Sequence, residues 1–222
     1  MTVPVITIDG PSASGKGTVA ALVADQLGFH YLDSGSLYRL VALLAIRRGI
    51  PMEDEAVLAE AARQLPVAFA DGTVWLDGED AGDAIRGEEV GMGASRVGAL
   101  PAVRAALLER QRAFRQEPGL VTDGRDMGSV VFPAATLKVF LTASADERAS
   151  RRYKQLIGKG ESANLQKIKQ DIVDRDARDA ARAVAPLRQE PDATLLDTTE
   201  MTIDQAVDAV VQWFKERQAS GL

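Results

Sequence analysis

One stretch limits what this chain can fold into: GPSASGKGT, residues Gly10 to Thr18. An apolar, β-branched run, Val3 to Ile8, leads into it, and a helix-like stretch, Val19 to Leu27, leads out. Strand, glycine-rich turn and helix is the setting of a phosphate-binding loop. Glycines let consecutive backbone N–H groups turn inward, and the helix N-terminus beneath adds partial positive charge. Lys16 brings a full charge to where β- and γ-phosphates sit. The stretch therefore predicts a bound nucleoside triphosphate. The plainer alternative is a glycine-rich turn with no ligand, and the lysine and both flanking elements argue against it. One departure stands out. The common form ends G-K-[ST], whereas here Gly17 takes the hydroxyl position and Thr18 follows one place later. That change leaves the metal ligands unknown.

Composition narrows the class. A length of 222 residues suits one large domain with subdomains and a sizeable core. Lys plus Arg number 26 against 32 Asp plus Glu, a net charge of −6. That balance argues against nucleic-acid and membrane-surface partners, which favour basic surfaces. With no cysteine there is no disulfide and no thiolate nucleophile or metal site. The single histidine, His30, lies in the strand-like FHYLD and reads as a packing residue rather than a catalyst. The N-terminus enters a strand at once, without a signal-peptide pattern. The apolar run Leu40 to Ile46 is far too short to span a bilayer. The expected location is the cytoplasm, with no obligate protein partner evident.

Taken in order, the chain alternates. Gly28 is a plausible C-cap for the first helix, and FHYLD (Phe29 to Asp33) follows as a strand, completing a βαβ unit that implies a parallel sheet. DSGSLYR, Asp33 to Arg39, lies at the strand end where ligands of such sheets bind. Helices are expected over Leu37 to Arg48 and Glu53 to Gln64. Two β-prone runs then flank Asp71-Gly72, a hairpin signal, with Trp75 packing there. A hairpin inside an alternating α/β pattern looks like an inserted subdomain. Helices over Glu88 to Val97 and Pro101 to Gln116 follow. LVTDGRD (Leu120 to Asp126) and LKVFLTA (Leu137 to Ala143) return to buried strands. Ser144 with Glu147 is a capping-box pattern opening an arginine-rich helix. Ile157 to Ser162 reads as a flexible turn, and Asn164 to about Arg182 as a long polar helix. TLLDTT is a last strand. Thr202 with Gln205 caps a final helix whose stripe of Ile203, Ala206, Val207, Val210, Val211 and Phe214 is core, with a frayed tail after Lys215.

Positive charge gathers in three places beyond the loop. Arg39 and Arg125 follow strand ends that converge on the phosphate loop. Arginine grips phosphate oxygens bidentately and keeps its charge. The third place is the pair of helices with Arg148, Arg151 and Arg152, then Arg175, Arg178 and Arg182. The last three share a helix face, and Asp179 lies four residues after Arg175. A solvated face laced with salt bridges is the competing account of that run. Several arginines suggest a second, phosphate-bearing substrate. Asp126 beside Arg125 is either a structural ion pair or a reader of a base, accepting from an exocyclic amine. Ser95 and Arg104, in the inserted region, could complete a base pocket.

GPSASGKGT, DSGSLYR, the hairpin insert, DGRDMGSVVFP and RDARDAARAVAPL, in this order, resemble the bacterial cytidylate kinases of the nucleoside monophosphate kinase family. The likeness covers essentially the whole chain. Within that family the GKGT ending is normal. Ala13 stands where relatives often have glycine, a change of little consequence provided that residue 13 has a negative φ. The resemblance implies an α/β P-loop kinase fold: a five-stranded parallel sheet flanked by helices, with core about 1–36 and 117–222. It implies a monophosphate-binding insert of about 37–116 and a small lid of about 148–165. Gly10, Pro11, Ser12, Ala13, Ser14, Gly15, Lys16, Gly17 and Thr18 would bind the phosphates of ATP, with Arg148 and Arg152 on the lid. Arg39 and Arg125 would hold the acceptor's phosphate. Ser95, Arg104, Asp126 and Arg182 would contact cytosine, and Arg175 and Asp179 the ribose or acceptor phosphate, with Ser34 at the same edge. The implied reaction moves the γ-phosphate of ATP, with Mg²⁺, to CMP or dCMP. A kinase for another monophosphate such as UMP is the nearest alternative. A P-loop nucleotide switch is the alternative from another class, and no guanine-reading N-K-x-D motif supports it.

Overall fold

Five runs become one sheet: β1 (Val5–Asp9), β2 (His30–Asp33), β6 (Leu120–Gly124), β7 (Leu137–Thr142) and β8 (Thr194–Asp197), in the spatial order β2-β6-β1-β7-β8. This is a computed structural model, and it describes residues 2–70 and 73–220. The pairs β1–β6, β1–β7 and β7–β8 are all parallel. Every residue of β1 and β6 is buried, which is what a central parallel strand demands. The βαβ unit expected from sequence is present, but β6 lies between β1 and β2. The more polar β2 takes the edge, where His30 and Tyr31 are exposed. His30 is thus not a packing residue; its Nε2 lies 2.8 Å from Glu117 O at the surface.

One face of the sheet packs on α1 (Lys16–Leu27) and α8 (Ile203–Ala219). Ile6, Ile8, Val121, Val139 and Leu141 meet Val19, Val23, Val207, Val210 and Phe214 there, and Phe29 stands edge-on to Phe214 with centroids 5.5 Å apart. Burying such side chains stabilises by roughly 1.5–3 kcal/mol each. Ile203 is not among them: it opens α8 ahead of the sheet and is 51% exposed. The Thr202–Gln205 capping box is complete. The helix runs to Ala219, past the fraying point expected at Lys215.

The strand order makes a topological switch. The chain leaves β1 towards β2 on one side, and leaves β7 towards β8 on the other. Ligands of open α/β sheets bind at the carboxyl ends of strands where connections diverge in this way. The Gly10–Thr18 loop occupies that position. After β6, a single π-type turn, Met127–Val131, follows Arg125 and Asp126. After β7 come α6 (Ala145–Gly158) and α7 (Leu165–Ala180). Only half of the expected capping box at α6 forms. Ser144 Oγ accepts from Glu147 N–H at 3.2 Å, but Ser144 N–H goes to Thr199 Oγ1, and Glu147 turns to Arg151 instead.

The chain divides into two compact units, Met1–Leu32 with Phe114–Leu222, and Asp33–Ala113. The second unit begins with α2 (Ser34–Arg48), whose N-cap Asp33 accepts from both the N–H and the hydroxyl of Ser36. α3 (Glu55–Arg63) follows, then an antiparallel sheet of β3 (Val67–Ala70), β4 (Thr73–Leu76) and β5 (Glu79–Asp80). The Asp71-Gly72 turn expected from sequence lies outside the described residues. Sequence reading missed β5. Its turn is Asp77-Gly78, with φ of 57° and 81°, which is the second Asp-Gly hairpin signal of this region. Trp75 on β4 is 37% exposed, so it packs on one side only. α4 (Glu88–Val97) and α5 (Pro101–Arg112) complete the unit.

Candidate active site

The phosphate loop is built where a side chain cannot go. A Cβ on Gly10 would stand 2.0 Å from Leu141 O, so the chain can leave β1 at this point only as glycine. Gly15, at φ 88°, is the N-cap of α1. Ala13 has φ 57°, so the condition under which alanine there would be harmless is not met. A left-handed alanine costs about 1 kcal/mol, and the surrounding contacts hold it in place.

Those contacts come from α6. Arg148 is buried; its Nε donates to Ala143 O, its Nη1 to Ser12 O at 3.1 Å, and it pairs with Asp176 Oδ2 at 2.6 Å. Arg151 donates to Ser14 O at 3.2 Å and to Thr198 O at 2.6 Å. With the loop's carbonyls drawn outward to arginines, its N–H groups are left to the concave side. The hydroxyls of Ser12 and Ser14 are buried without a hydrogen-bond partner, which a ligand's oxygens would supply. Lys16 Nζ lies 3.4 Å from Pro11 O and 4.0 Å from Asp123 Oδ2. Arg152, by contrast, is turned along α6 to Gln155 Oε1 at 2.7 Å.

The exit of β6 lies against the loop: Gly10 N–H donates to Gly124 O. Arg125 Nε donates to Asp179 Oδ2 at 2.8 Å and its Nη1 to Gly124 O at 3.2 Å. Asp179 is 1% exposed and also pairs with Arg182. Burial alone would raise its carboxyl, but Arg125, Arg182 and Arg175 outweigh that and hold it below the usual carboxylate range. Arg175, Asp179 and Arg182 therefore belong to one cluster with Arg125. Arg178, placed on the same face by its spacing, is exposed instead. Asp126, beside Arg125, is 3% exposed.

In the second unit, Ser34 opens α2 and is buried, and Arg39 lies one turn further along it. Arg39 Nη1 donates to Ile85 O at 2.7 Å, and its guanidinium lies over Gly91 of α4. A Cβ at Gly91 would meet both terminal nitrogens at 3.3 Å. Arg104 on α5 is buried, donates to Gly98 O at 3.1 Å and stacks 5.8 Å from the Tyr38 ring centroid. Ser95 is half-buried on α4.

Sequence reading assigned no site role to Asp9, Asp123 or Arg151, although it counted Arg151 in the charge of its helix. Asp9, the last residue of β1, accepts from Met127 N–H at 2.9 Å and Gly128 N–H at 2.8 Å. Burial pushes its carboxyl up to about 7, against the pull of those two N–H groups; Asp126 adds to the rise and Arg125 opposes it. Asp123 lies beside Lys16 and accepts from the Tyr31 hydroxyl at 2.8 Å. Arg151 braces the loop. An aspartate just ahead of the loop's first glycine was the one visible signal. As for metals, no group of three or more His, Cys, Asp or Glu among the described residues could hold an ion alone. The oxygens near Lys16 are the Pro11 carbonyl and the Asp123 carboxylate, the latter carrying the Tyr31 hydroxyl. That sparse, hard set suits an ion that keeps its waters and leans on phosphates. Among the described residues no helix is long and apolar enough to cross a membrane.

Comparison with known proteins identifies the family. The cytidylate kinase family model matches residues 6–216. A cytidylate kinase of Chromobacterium violaceum is 78% identical over 221 residues, covering 100% of both chains. One from Bordetella bronchiseptica is 60% identical, over 96% of this chain and 95% of the relative. Among solved structures, a gluconokinase from Sinorhizobium meliloti 1021 aligns over 96% of this chain and 92% of its own, with a TM-score of 0.50 at 15% identity, a likeness of fold. With a family match along nearly its whole length and relatives this similar, the chain belongs to the cytidylate kinase family.

Proposed function

We propose that the chain transfers the γ-phosphate of ATP to CMP or dCMP, giving ADP and the corresponding diphosphate. The observation that carries this reading is the seam between the loop and the β6 exit. Gly10 hydrogen-bonds Gly124, which sets a phosphate-holding loop directly against Arg125 and Asp126. In this reading Gly10 to Thr18 hold the triphosphate and Lys16 follows the transferring group. Arg39 and Arg125 hold the acceptor's phosphate. Ser95, Arg104, Asp126 and Arg182 read cytosine. Arg175 and Asp179 serve the ribose or the acceptor phosphate, Asp179 by orienting Arg125, and Ser34 serves the same nucleotide. Residues 37–116 act as the acceptor-binding insert and 148–165 as a lid. Arg152 works from the lid; Arg148 works through the loop it braces.

The chemistry asks little else of the protein. A monophosphate already presents an anionic oxygen as nucleophile, so no strong base is required. The work is alignment and charge neutralisation in a loose, in-line transfer. Mg²⁺, held near Asp123, would supply further neutralisation of phosphate charge when bound. Cytosine's N4 amine suits the Asp126 carboxylate, whereas O4 of uracil faces it with a lone pair. Such a mismatch costs roughly 1–3 kcal/mol.

The deciding experiment is ATP-dependent diphosphate formation from CMP, dCMP, UMP, AMP and GMP. CMP and dCMP are expected to lead. UMP in front would overturn the base assignment, and no product from any would overturn the kinase. Asp126→Ala is expected to shrink the preference for CMP over UMP by about tenfold; an unaltered ratio would remove Asp126 as base reader. A second variant probes Arg39. Gly91→Ala is expected to raise the acceptor's KM by about 3–10-fold by pushing the guanidinium off α4, with ATP's KM unchanged. Stability should hold or rise, because alanine favours a helix over glycine by about 1 kcal/mol. Equal changes in both KM values, or none, would detach Gly91 from Arg39's role.

A further inference from the structure

The change at Gly17 has a counterpart in space. A Cβ built there would stand 3.5 Å from Tyr31 Oη and 3.8 Å from each oxygen of Asp123. A serine or threonine hydroxyl lies one bond beyond Cβ, so it would fall among those same three oxygens. Thr18 does not fill that place. One residue on, it lies about 100° round α1, and it is exposed. The hydroxyl in this position belongs to Tyr31, on the edge strand β2. Its one proton goes to Asp123 Oδ1 at 2.8 Å, with Gly17 O a longer 3.4 Å away. Asp123 Oδ2 in turn lies 4.0 Å from Lys16 Nζ.

We infer that the Tyr31 hydroxyl, together with the Asp123 carboxylate it donates to, takes the place of the serine or threonine hydroxyl of a G-K-[ST] loop and orders the hydrated Mg²⁺ that accompanies the nucleotide. The inference rests on the proposed ATP·Mg²⁺ reading of the loop. A phenol that gives its proton to Asp123 offers acceptor lone pairs outward, and metal-bound water needs acceptors. The hydrogen bond also fixes the carboxylate's rotation, so that one oxygen faces Lys16 while the other is held. Tyr31 is a positioning residue for the metal shell, reached from a strand outside the loop.

The test is a swap read by calorimetry of ADP binding with and without Mg²⁺. For the native chain Mg²⁺ is expected to tighten ADP binding; if it does not, the Mg²⁺ reading of the loop fails before Tyr31 is reached. Tyr31→Phe is expected to reduce the Mg²⁺ enhancement by about 3–10-fold, the worth of roughly one hydrogen bond, with the metal-free Kd within about twofold. Gly17→Ser added to Tyr31→Phe is expected to restore the enhancement, since the new hydroxyl enters the space the phenol oxygen vacates. An enhancement unchanged in Tyr31→Phe would overturn the inference. So would an equal loss with and without Mg²⁺, or a double variant no better than Tyr31→Phe.

Discussion

Arg125→Ala is expected to lower the rate of phosphoryl transfer by about 10²–10³, the usual cost of removing one charge-stabilising donor from an enclosed site. The geometry explains why this arginine and not its neighbours carries so much. Its Nε is spoken for by Asp179 and its Nη1 by Gly124 O. Among the described residues its Nη2 makes no protein hydrogen bond. The side chain is thus pinned at Nε and Nη1 and leaves Nη2 at its tip, which pre-organises the guanidinium for a phosphate oxygen. The substitution has a structural consequence as well. Asp179, 1% exposed, would keep Arg182 but lose Arg125. Removing one partner of a buried pair costs up to about 3–5 kcal/mol, less here because a second arginine remains. Rate and melting temperature are therefore measured together, with Arg125→Lys alongside. Lysine keeps the charge but cannot hold Asp179 and a phosphate at once, so it should recover stability more than rate. A folded Arg125→Ala with an unchanged rate would take Arg125 out of the active site.

What was legible in the sequence follows from range. The phosphate loop, the Thr202–Gln205 box and the buried strands β1, β6 and β7 are written in a few adjacent residues, and apart from the φ of Ala13 they form as read. Apart from the overlooked Asp77-Gly78 hairpin, the misreadings turn on which partners the fold brings up. Glu147 has the right spacing to cap α6, but Arg151 and Thr199 compete for its part. Ile203 fits the apolar stripe of α8, yet its position on the first turn sets it beyond the sheet. His30 sits in a strand pattern, but that strand is at the edge, a fact decided by β6 inserting beside β1. Of the proposed site residues, Arg39 and Arg125 were visible because they follow strand ends. Asp9 and Tyr31 were not, since their partners lie 118 and 92 residues away. The φ of Ala13 depends on loop closure against α6 and has no local signature.

Asp9 is expected to make the protein less stable as pH rises through neutrality. Its carboxyl is buried among Lys138, Gly128 and Glu190, with Asp126 and Arg125 also acting on it, and it titrates at about 7 instead of 3.8. The folded state therefore binds a proton that the unfolded state has released at any pH between those values. Stability from this group is complete below the unfolded value and is lost as pH climbs to about 7, at roughly 1.4 kcal/mol per pH unit. Between pH 5.5 and 8.5 the loss amounts to about 2 kcal/mol. Asp179, Asp192 and Asp197 are shifted downward and titrate below this window. Asp9→Asn is the control. The amide has one acceptor oxygen for the two N–H groups of Met127 and Gly128, so the variant should start out less stable at pH 5.5 by about 1–3 kcal/mol. The gap should then narrow by about 2 kcal/mol at pH 8.5, because only the native chain must ionise a buried acid. Urea unfolding at both pH values measures the difference, and the groups common to both chains cancel. Parallel stability curves would mean that Asp9 does not titrate near neutrality. A carboxylate that lowers stability at working pH still has a use: it clamps the two backbone N–H groups that follow Arg125 and Asp126. The same variant should therefore raise the acceptor's KM more than that of ATP.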